Sequence, residues 1–586
     1  MKKCLAILLS ALLVMGCIAT FAASAATIDT KNMDFTFTDR ELEGEWDERE
    51  AISVVGHGDN FKANGKGVKL TDGQMLITAE GEYCLSGEFT MPVVIRVDDK
   101  DKVQLILNGA HISVADGPAI YIEDADKVFI TLAEGTNNSV SDGAAYADTA
   151  DGSPDAVIFS RDDLCIHGSG ALTVIGQYKH GVVSKDDLVI VACTLNVTSL
   201  STALDGKDCL MATGANITVD AGSNGLRSDN AEDENRGYIY LQDSTLNITA
   251  ENDGVQAETV LYIENCTMNV TTGGGSGSRL ISDTGSWKGL KSAGDMLIDG
   301  GSYTIYSHDD AIHSNSSIVI AGGDFTISSG DDGIHADTNL TITGGTFYVK
   351  KSYEGMEASK LTIAGGGIYI VASDDGLNAA GGNDGSAMGG RAGAGFFSNG
   401  VGEIIISGGY TILNASGDGI DSNGTIAISG GVTLVSGSTG GMNAAFDYDG
   451  SATVTGGILM ALGSTGMAQN FSSAQNQGAM LVDLSSRQTE ALSLVDASGN
   501  VIVSFKPMKN YQSAVITAPE IAKGQTYTLV VGGTVEGADE YSFARNTTMT
   551  GGTKVATVTM SSLIYGSGFG GFGGSGGGPS GGGGGW

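Results

Sequence analysis

The chain has 586 residues and a formal net charge of −37, from 31 Lys+Arg against 68 Asp+Glu, with 90 glycines and only 6 prolines. A hydrophobic fraction of 41% is enough to pack a core, and no G-X-Y period runs through it, which excludes a disordered acidic polymer and a collagen. The charge excludes nucleic acid and anionic membrane surfaces as natural partners; it favours divalent cations, uncharged ligands, or acidic ligands held through a metal.

At the start, Lys2 and Lys3 precede an apolar run from Leu5 to Ile18, and Ala23-Ser24-Ala25 precedes Ala26. This reads as an export leader over 1–25, hence a secreted protein, with lipid attachment at Cys17 as the competing surface-anchored form. No later stretch reads as a transmembrane segment. Cys84, Cys165, Cys193, Cys209 and Cys266 are widely spaced, which suits buried small side chains rather than a zinc site. Residues 26–115 are rich in strand patterns without a repeat and are expected to form an N-terminal β cap.

From about 116 to 471 the chain repeats. Asp309-Asp310-Ala311-Ile312-His313-Ser314 is followed by Asp331-Asp332-Gly333-Ile334-His335-Ala336 and then by Tyr353-Glu354-Gly355-Met356-Glu357-Ala358. Asp374–Ala379, Gly417–Ser422 and Thr439–Ala444 continue the frame, and weaker copies start at Lys179, Ser201, Ser223, Asn252 and Trp287. The Gly/Ala position falls at 311, 333 and 355, a step of 22, and longer steps are one period plus an inserted loop, around 230–236, 272–286 and 381–400. Between these blocks apolar residues alternate on either side of a Gly-Gly pair, as in Leu340–Val349. Three short strands and three turns per 22 residues predict a right-handed parallel β-helix in an all-β chain. A small C-terminal β domain is expected over 472–564, with strands near 493–494, 501–505, 513–516 and 527–531, then a glycine-rich flexible tail over 565–586.

Stacking converts sequence columns into surface rows about 4.8 Å apart. The residue between the inward Ile and Ala is expected to face solvent, giving a column Asp205, Arg227, Gln256, Lys291, His313, His335, Glu357, Asn378, Asp421 and Asn443. The turn before it carries Asp253, Asp309, Asp310, Asp331, Asp332, Glu354, Asp374, Asp375 and Asp418, and Asp337 lies two places beyond His335. Carboxylates about 5 Å apart repel by roughly 3 kcal/mol at an effective dielectric near 20. Such a row calls for raised pKa values, side chains splayed into water, or a hard cation. Oxygen donors without cysteine or paired histidine favour calcium, with Asp309, Asp310, Asp331, Asp332, Asp337, Asp374, Asp375, Asp418 and Asp421 as ligand candidates. His313, His335, Glu357, Lys288, Lys291, Tyr353 and Trp287 are the candidates for contacting a ligand, the two aromatics by stacking on sugar rings.

Several segments resemble the clostridial-type secreted carbohydrate-binding β-helix proteins, solenoids similar to calcium-dependent pectate lyases. They are Gly81–Gly87, Leu105–Gly109, Ala119–Ile122, Ser160–Leu164, Ser184–Leu188 and the Asp-Asp-Gly repeats. The resemblance implies calcium on the solenoid and binding of cell-wall polysaccharide, cellulosic or acidic and pectin-like. The alternatives are a calcium-dependent polysaccharide lyase, with Lys291 as the base, and a structural or adhesive surface solenoid. A monomer is expected.

Overall fold

A computed structural model describes residues 28, 30, 32–150, 152–278, 285–379 and 402–566. The expected leader over 1–25 with Cys17, the insertion 381–400 and the glycine-rich tail from 567 lie outside the described residues. Within them the chain is nearly all β, with one short helix, Asp39–Glu43, closed by a Thr38/Glu41 capping box. A single long sheet system of parallel strands carries the fold, so the chain is an all-β solenoid.

The repeat shows how the sequence builds a coil. Ile312–Ser314, Ser317–Ile320 and Asp324–Ser328 are three short strands lying on three faces. Each pairs in parallel with its counterpart in the next coil, so Ile312 meets Ile334, Ile318 meets Leu340, and Phe325 meets Phe347. Identical residue types therefore stack inside. Tyr303, Phe325 and Phe347 lie with ring centroids 4.5 and 4.7 Å apart and planes within 7° of parallel, which is the strand spacing expressed in side chains.

The Gly-Gly pair turns one face into the next. Gly345 has a φ of +94°, and a Cβ there would meet the Gly323 carbonyl oxygen of the preceding coil at 2.8 Å. Conformation and close approach both demand glycine.

Both ends of the stack are engaged. Near the N-terminus Ile52–Gly58 pairs in parallel with Gly81–Phe89 and antiparallel with Phe61–Ala63. At the other end Tyr511–Ala518 runs antiparallel to Ile458–Gly463 and to Gly478–Gln488. The strand expected near 513–516 thus seals the solenoid's last edge, an arrangement that removes unpaired backbone groups. Beside it stands a five-stranded antiparallel sheet, ordered Phe543–Thr547, Val501–Phe505, Leu492–Val495, Thr526–Val531, Thr553–Thr559.

Two features depart from the sequence expectation. Thr439–Ala444 is not the repeat's last copy: Met442 is 83% exposed. The ladder resumes where Gly419 N donates to Ala444 O and Asp447 N donates to Ile420 O. Phe446 then fills the inward position and packs on Phe471, 4.8 Å away. Burying that ring outweighs the fortuitous match of Gly-Gly-Met-Asn-Ala, and Asp447 takes the column place assigned to Asn443. The second feature is an N-terminal strap. Phe35 packs on Tyr238, Tyr240 and Tyr262 at 5.2, 5.2 and 5.6 Å, and Tyr238 Oη donates to Asp34 O at 2.8 Å. Further along, Lys127 Nζ pairs with Glu41 at 2.7 Å and Gln104 Nε2 donates to Glu45 O.

Candidate functional site: a polar ribbon along one face

The short strands align the column Asp205, Arg227, Gln256, Lys291, His313, His335, Glu357, Asn378 and Asp421 residue over residue. Its expected exposure is corrected by the structure: Asp205, His313, His335, Glu357 and Asn378 are all buried. The turn residues fold over them and make a two-residue-wide polar ribbon. Three-residue strands leave the turn side chains within reach of the strand's middle residue, which simple in/out alternation does not anticipate.

Nor do the turn carboxylates splay. Asp310 and Asp332 are fully buried. Asp310 Oδ1 accepts the backbone N–H of Asp332 at 2.9 Å, and Asp332 Oδ1 accepts that of Glu354 at 3.0 Å. Asp253 does the same for Lys288, and Asp375 for Asp418. Each carboxylate thus ties its coil to the next, and the predicted repulsion is met by hydrogen bonds and interleaved cations.

Lys288 belongs to the turn column itself. Its ammonium lies 2.7 Å from Asp310 and 2.9 Å from Asp309, and Asp331 completes that carboxylate group within 4.8 Å. Burial would raise the Asp310 carboxyl, but Lys288 and the His313 hydrogen bond hold it well below the usual range. His313 offers Nδ1 to Asp310 and Nε2 to Asn315, both at 2.8 Å. His335 sits among three carboxylates: Nδ1 is 3.1 Å from Asp332 and 3.3 Å from Glu357, and Nε2 is 3.3 Å from Asp337. Burial opposes its charge, yet these partners raise its pKa to about 12. His335 is therefore an internal counter-ion, and both imidazoles lie buried instead of facing solvent as expected. Further up-chain Arg227 pairs with Asp205 at 2.6 Å.

Lys291 Nζ lies 3.4 Å from Asp253 and 3.1 Å from Ser286 Oγ. Lys288 is buried, and despite that burial Asp310 and Asp309 raise its pKa, the opposite of what a proton-abstracting amine requires. Trp287 and Tyr353 remain partly exposed at the ribbon's corner. Trp287 stands edge-on to His308 at 5.3 Å, and a hydrogen bond with Asp374 raises the Tyr353 pKa.

The ribbon changes character towards its C-terminal end. Asp375, Asp418 and Asp421 bring carboxylate oxygens within 4.8 Å of one another, and no Lys, Arg or His among the described residues is paired with them. Burial and mutual repulsion raise Asp375 and Asp421 well above the ordinary range. Burial, with Asp447 nearby, brings Asp418 up to about 7. Asn378, over Asp421 in the column, gives its amide nitrogen to Glu354 at 2.6 Å on one side, while its buried Oδ1 has no hydrogen-bond partner. Glu354 itself is pushed up to about 11 by burial and by Asp332 and Glu357.

Sequence reasoning passed over a second acidic group, Asp163, Asp186 and Asp187, also within 4.8 Å. It sits at another corner of the coil, with Lys127 3.4 Å from Asp163 and Arg236 3.1 Å from Asp187. Its signal was present in the doubled Asp of Arg161-Asp162-Asp163 and Lys185-Asp186-Asp187. Asn378 was placed in the column but not among the ligand candidates, and Asp447 was missed because it joins the acidic end only through stacking.

A family model described as carbohydrate-binding domain-containing protein matches residues 71–333. A carbohydrate-binding domain-containing protein of Acetivibrio thermocellus is 31% identical over 222 residues, 37% of this chain and 78% of the relative. A solved structure titled as a polysaccharide lyase-like protein from C. thermocellum, a gadolinium derivative, is 29% identical, with a TM-score of 0.39. It covers 42% of this chain and 96% of that one. The chain belongs to the family of carbohydrate-binding domain-containing proteins.

Proposed function

We propose that the protein is a secreted, monomeric, calcium-binding protein that holds cell-wall polysaccharide along the ribbon, with acidic, pectin-like chains as its first ligand. Its solenoid is right-handed, with about 22 residues per coil. Family membership supports the carbohydrate. The calcium rests on one observation: Lys288 and His335 neutralise the middle of the ribbon, whereas Asp375, Asp418 and Asp421 have no such counter-ion among the described residues. An all-oxygen donor set with an unpartnered buried amide oxygen fits a hard cation. Asp375, Asp418, Asp421 and the Asn378 oxygen would hold it. Calcium bound there supplies a positive charge that a uronate carboxylate can meet on an otherwise acidic face.

Calorimetric titration of the mature chain with polygalacturonate, in calcium and in EDTA, tests this reading. Binding in calcium that EDTA abolishes is the expected result, with no unsaturated product appearing in the ultraviolet. Product formation lost in Lys291→Ala would establish the lyase instead. Failure to bind either polygalacturonate or cellulose would remove the carbohydrate reading.

A further inference from the structure

The three faces of the solenoid are dressed differently. One carries the ribbon. A second is closed by the N-terminal strap, whose Met33, Phe35 and Phe37 pack on the cluster of Val189, Met211 and Tyr240. The third, built by Thr194–Ser199, Asn216–Ala221, Thr245–Ala250 and Thr267–Thr272, is open. Thr194-Leu195-Asn196-Val197-Thr198, Thr245-Leu246-Asn247-Ile248-Thr249 and Thr267-Met268-Asn269-Val270-Thr271 share one pattern, and Asn216-Ile217-Thr218-Val219-Asp220 varies it. Their apolar residues point inward and their Thr and Asn outward, and the strands stack in parallel with no shift of register. Asp220 is the one charged residue on these four strands. The middle column continues through Thr173 on one side and Thr304 and Thr326 on the other, a level strip about 29 Å long and about 13 Å wide. Further along, the same column becomes Tyr348, Tyr369, Ile412 and Leu434. Ile412 and Leu434 are buried in the core shared with the C-terminal sheet. The face is thus apolar where the fold covers it, and bears hydroxyls and amides where it does not.

Strand formation alone does not account for this dress. Threonine favours strands, but asparagine is depleted from them, and it holds the middle of three of these four strands. Solubility would be served by charge, which the chain has in plenty elsewhere. A protein partner would call for aromatic, Met or Arg anchors, and the outward residues of the four strands include none. What remains is hydrogen-bonding capacity at a fixed spacing. Asn269 Nδ2 donates to Asn247 Oδ1 at 2.9 Å. The outward threonine hydroxyls of these strands make no hydrogen bond to another described residue. Hydroxyls and amides both donate and accept, which matches a surface of sugar hydroxyls. With no cation on the strip and one carboxylate, nothing there attracts a charged glycan. The strip also has no walls to grip a lone chain, and one hydroxyl contact exchanged against water contributes little. Many made together, at the strand spacing of about 4.8 Å, add up only against a rigid and level partner.

We infer that this threonine- and asparagine-bearing face lies flat on the packed chains of an uncharged, insoluble polysaccharide. It is a second contact surface, separate from the ribbon and independent of calcium. This rests on the carbohydrate-binding reading above.

The test is adsorption of the full mature chain to microcrystalline cellulose in EDTA, with polygalacturonate titrated in calcium in parallel. Wild type should adsorb, and soluble cellohexaose should not displace it. Thr218→Glu and Thr249→Glu should each adsorb about tenfold more weakly, because a charge pressed onto an uncharged surface loses its water. Their polygalacturonate affinity and melting temperature should be unmoved, since both side chains are exposed. Asp220→Asn strips the array of its charge and should adsorb at least as tightly as wild type, a result that a misfolded variant cannot give. Equal adsorption by wild type and both glutamate variants overturns the inference. Displacement by cellohexaose, or weaker adsorption by Asp220→Asn, overturns it as well. Wild type that binds polygalacturonate but not cellulose also overturns it, leaving the proposed function standing. Binding to neither glycan defeats the proposed function, and this face's role with it.

Discussion

His335→Ala is expected to cost about 3–5 kcal/mol of stability at neutral pH, the price of breaking a buried ion pair by removing one partner. The imidazole is fully buried and lies within 3.3 Å of Asp332, Asp337 and Glu357. Its removal leaves Asp332 and Glu357 facing each other across an apolar gap. Burial and the Asp332 charge already push Glu357 up to about 8, so at neutral pH it mostly holds its proton and Asp332 is the buried charge that loses its partner. Replacing the whole group with neutral amides, as Asp332→Asn, His335→Gln and Glu357→Gln together, should recover most of the loss. The amide introduced by Asp332→Asn keeps an oxygen to accept from Glu354 N. The pH dependence has a definite sign. The folded pKa of about 12 lies above the ordinary 6.5. The histidine's contribution is therefore complete below pH 6.5 and falls away as pH rises towards 12. Urea unfolding from pH 6 to 10 should show wild-type stability declining more steeply than that of His335→Gln. A loss under about 0.5 kcal/mol in His335→Ala, the level of an ordinary surface change, would show that this imidazole carries no structural charge.

The second large effect concerns the acidic end of the ribbon, where the sign is that of carboxyls raised in the fold. Burial and the neighbouring carboxylates raise Asp418 from an ordinary 3.8 to about 7 and raise Asp375 and Asp421 well above the ordinary range. The folded state holds protons that the unfolded state has released, so in EDTA stability should fall as pH rises from about 4 through 7. A cation replaces those protons. Calcium at 100 times its dissociation constant should return about 2.7 kcal/mol at pH 8 and flatten the pH profile. Asp418→Asn separates the effects: it keeps an oxygen for Ala444 N while removing a charge. It should melt higher than wild type in EDTA at pH 8 and gain little from calcium. If calcium leaves the wild-type melting temperature unchanged at pH 8 and Asp418→Asn does not raise it in EDTA, the cluster is not a cation site.

Much of this architecture is legible in the primary structure because stacking repeats it. Ile312, Ile334, Met356, Leu377 and Ile420 recur in one frame, and the strands pair in that same frame. A column between two inward residues can therefore be assigned from spacing alone. Its burial could not. Whether Asp310 points to water or to the next backbone N–H depends on turn geometry that the letters do not encode. The roles of Lys288 and His335 as counter-ions likewise depend on which carboxylates stacking brings within 3.3 Å. The Thr439–Ala444 match misleads because five small residues around one methionine satisfy the frame without providing an inward anchor, which Phe446 does. The strap was invisible for a related reason. Phe35 and Tyr238 are far apart in sequence, and no local pattern in either announces the other.

That strap has a consequence for the order in which the molecule is assembled. Asn32 reaches Asn235 across 203 residues, and Asp34 reaches Tyr238 across 204. Synthesis proceeds from the N-terminus, so the segment carrying Met33, Phe35 and Phe37 is made long before Tyr238, Tyr240 and Tyr262 exist to receive it. Coils can stack on near neighbours as they emerge. The strap instead closes a loop of some two hundred residues, and contacts of such long range form slowly. The strap thus docks only after some two hundred later residues have been made, its apolar side chains uncovered until the coil containing Tyr262 is in place.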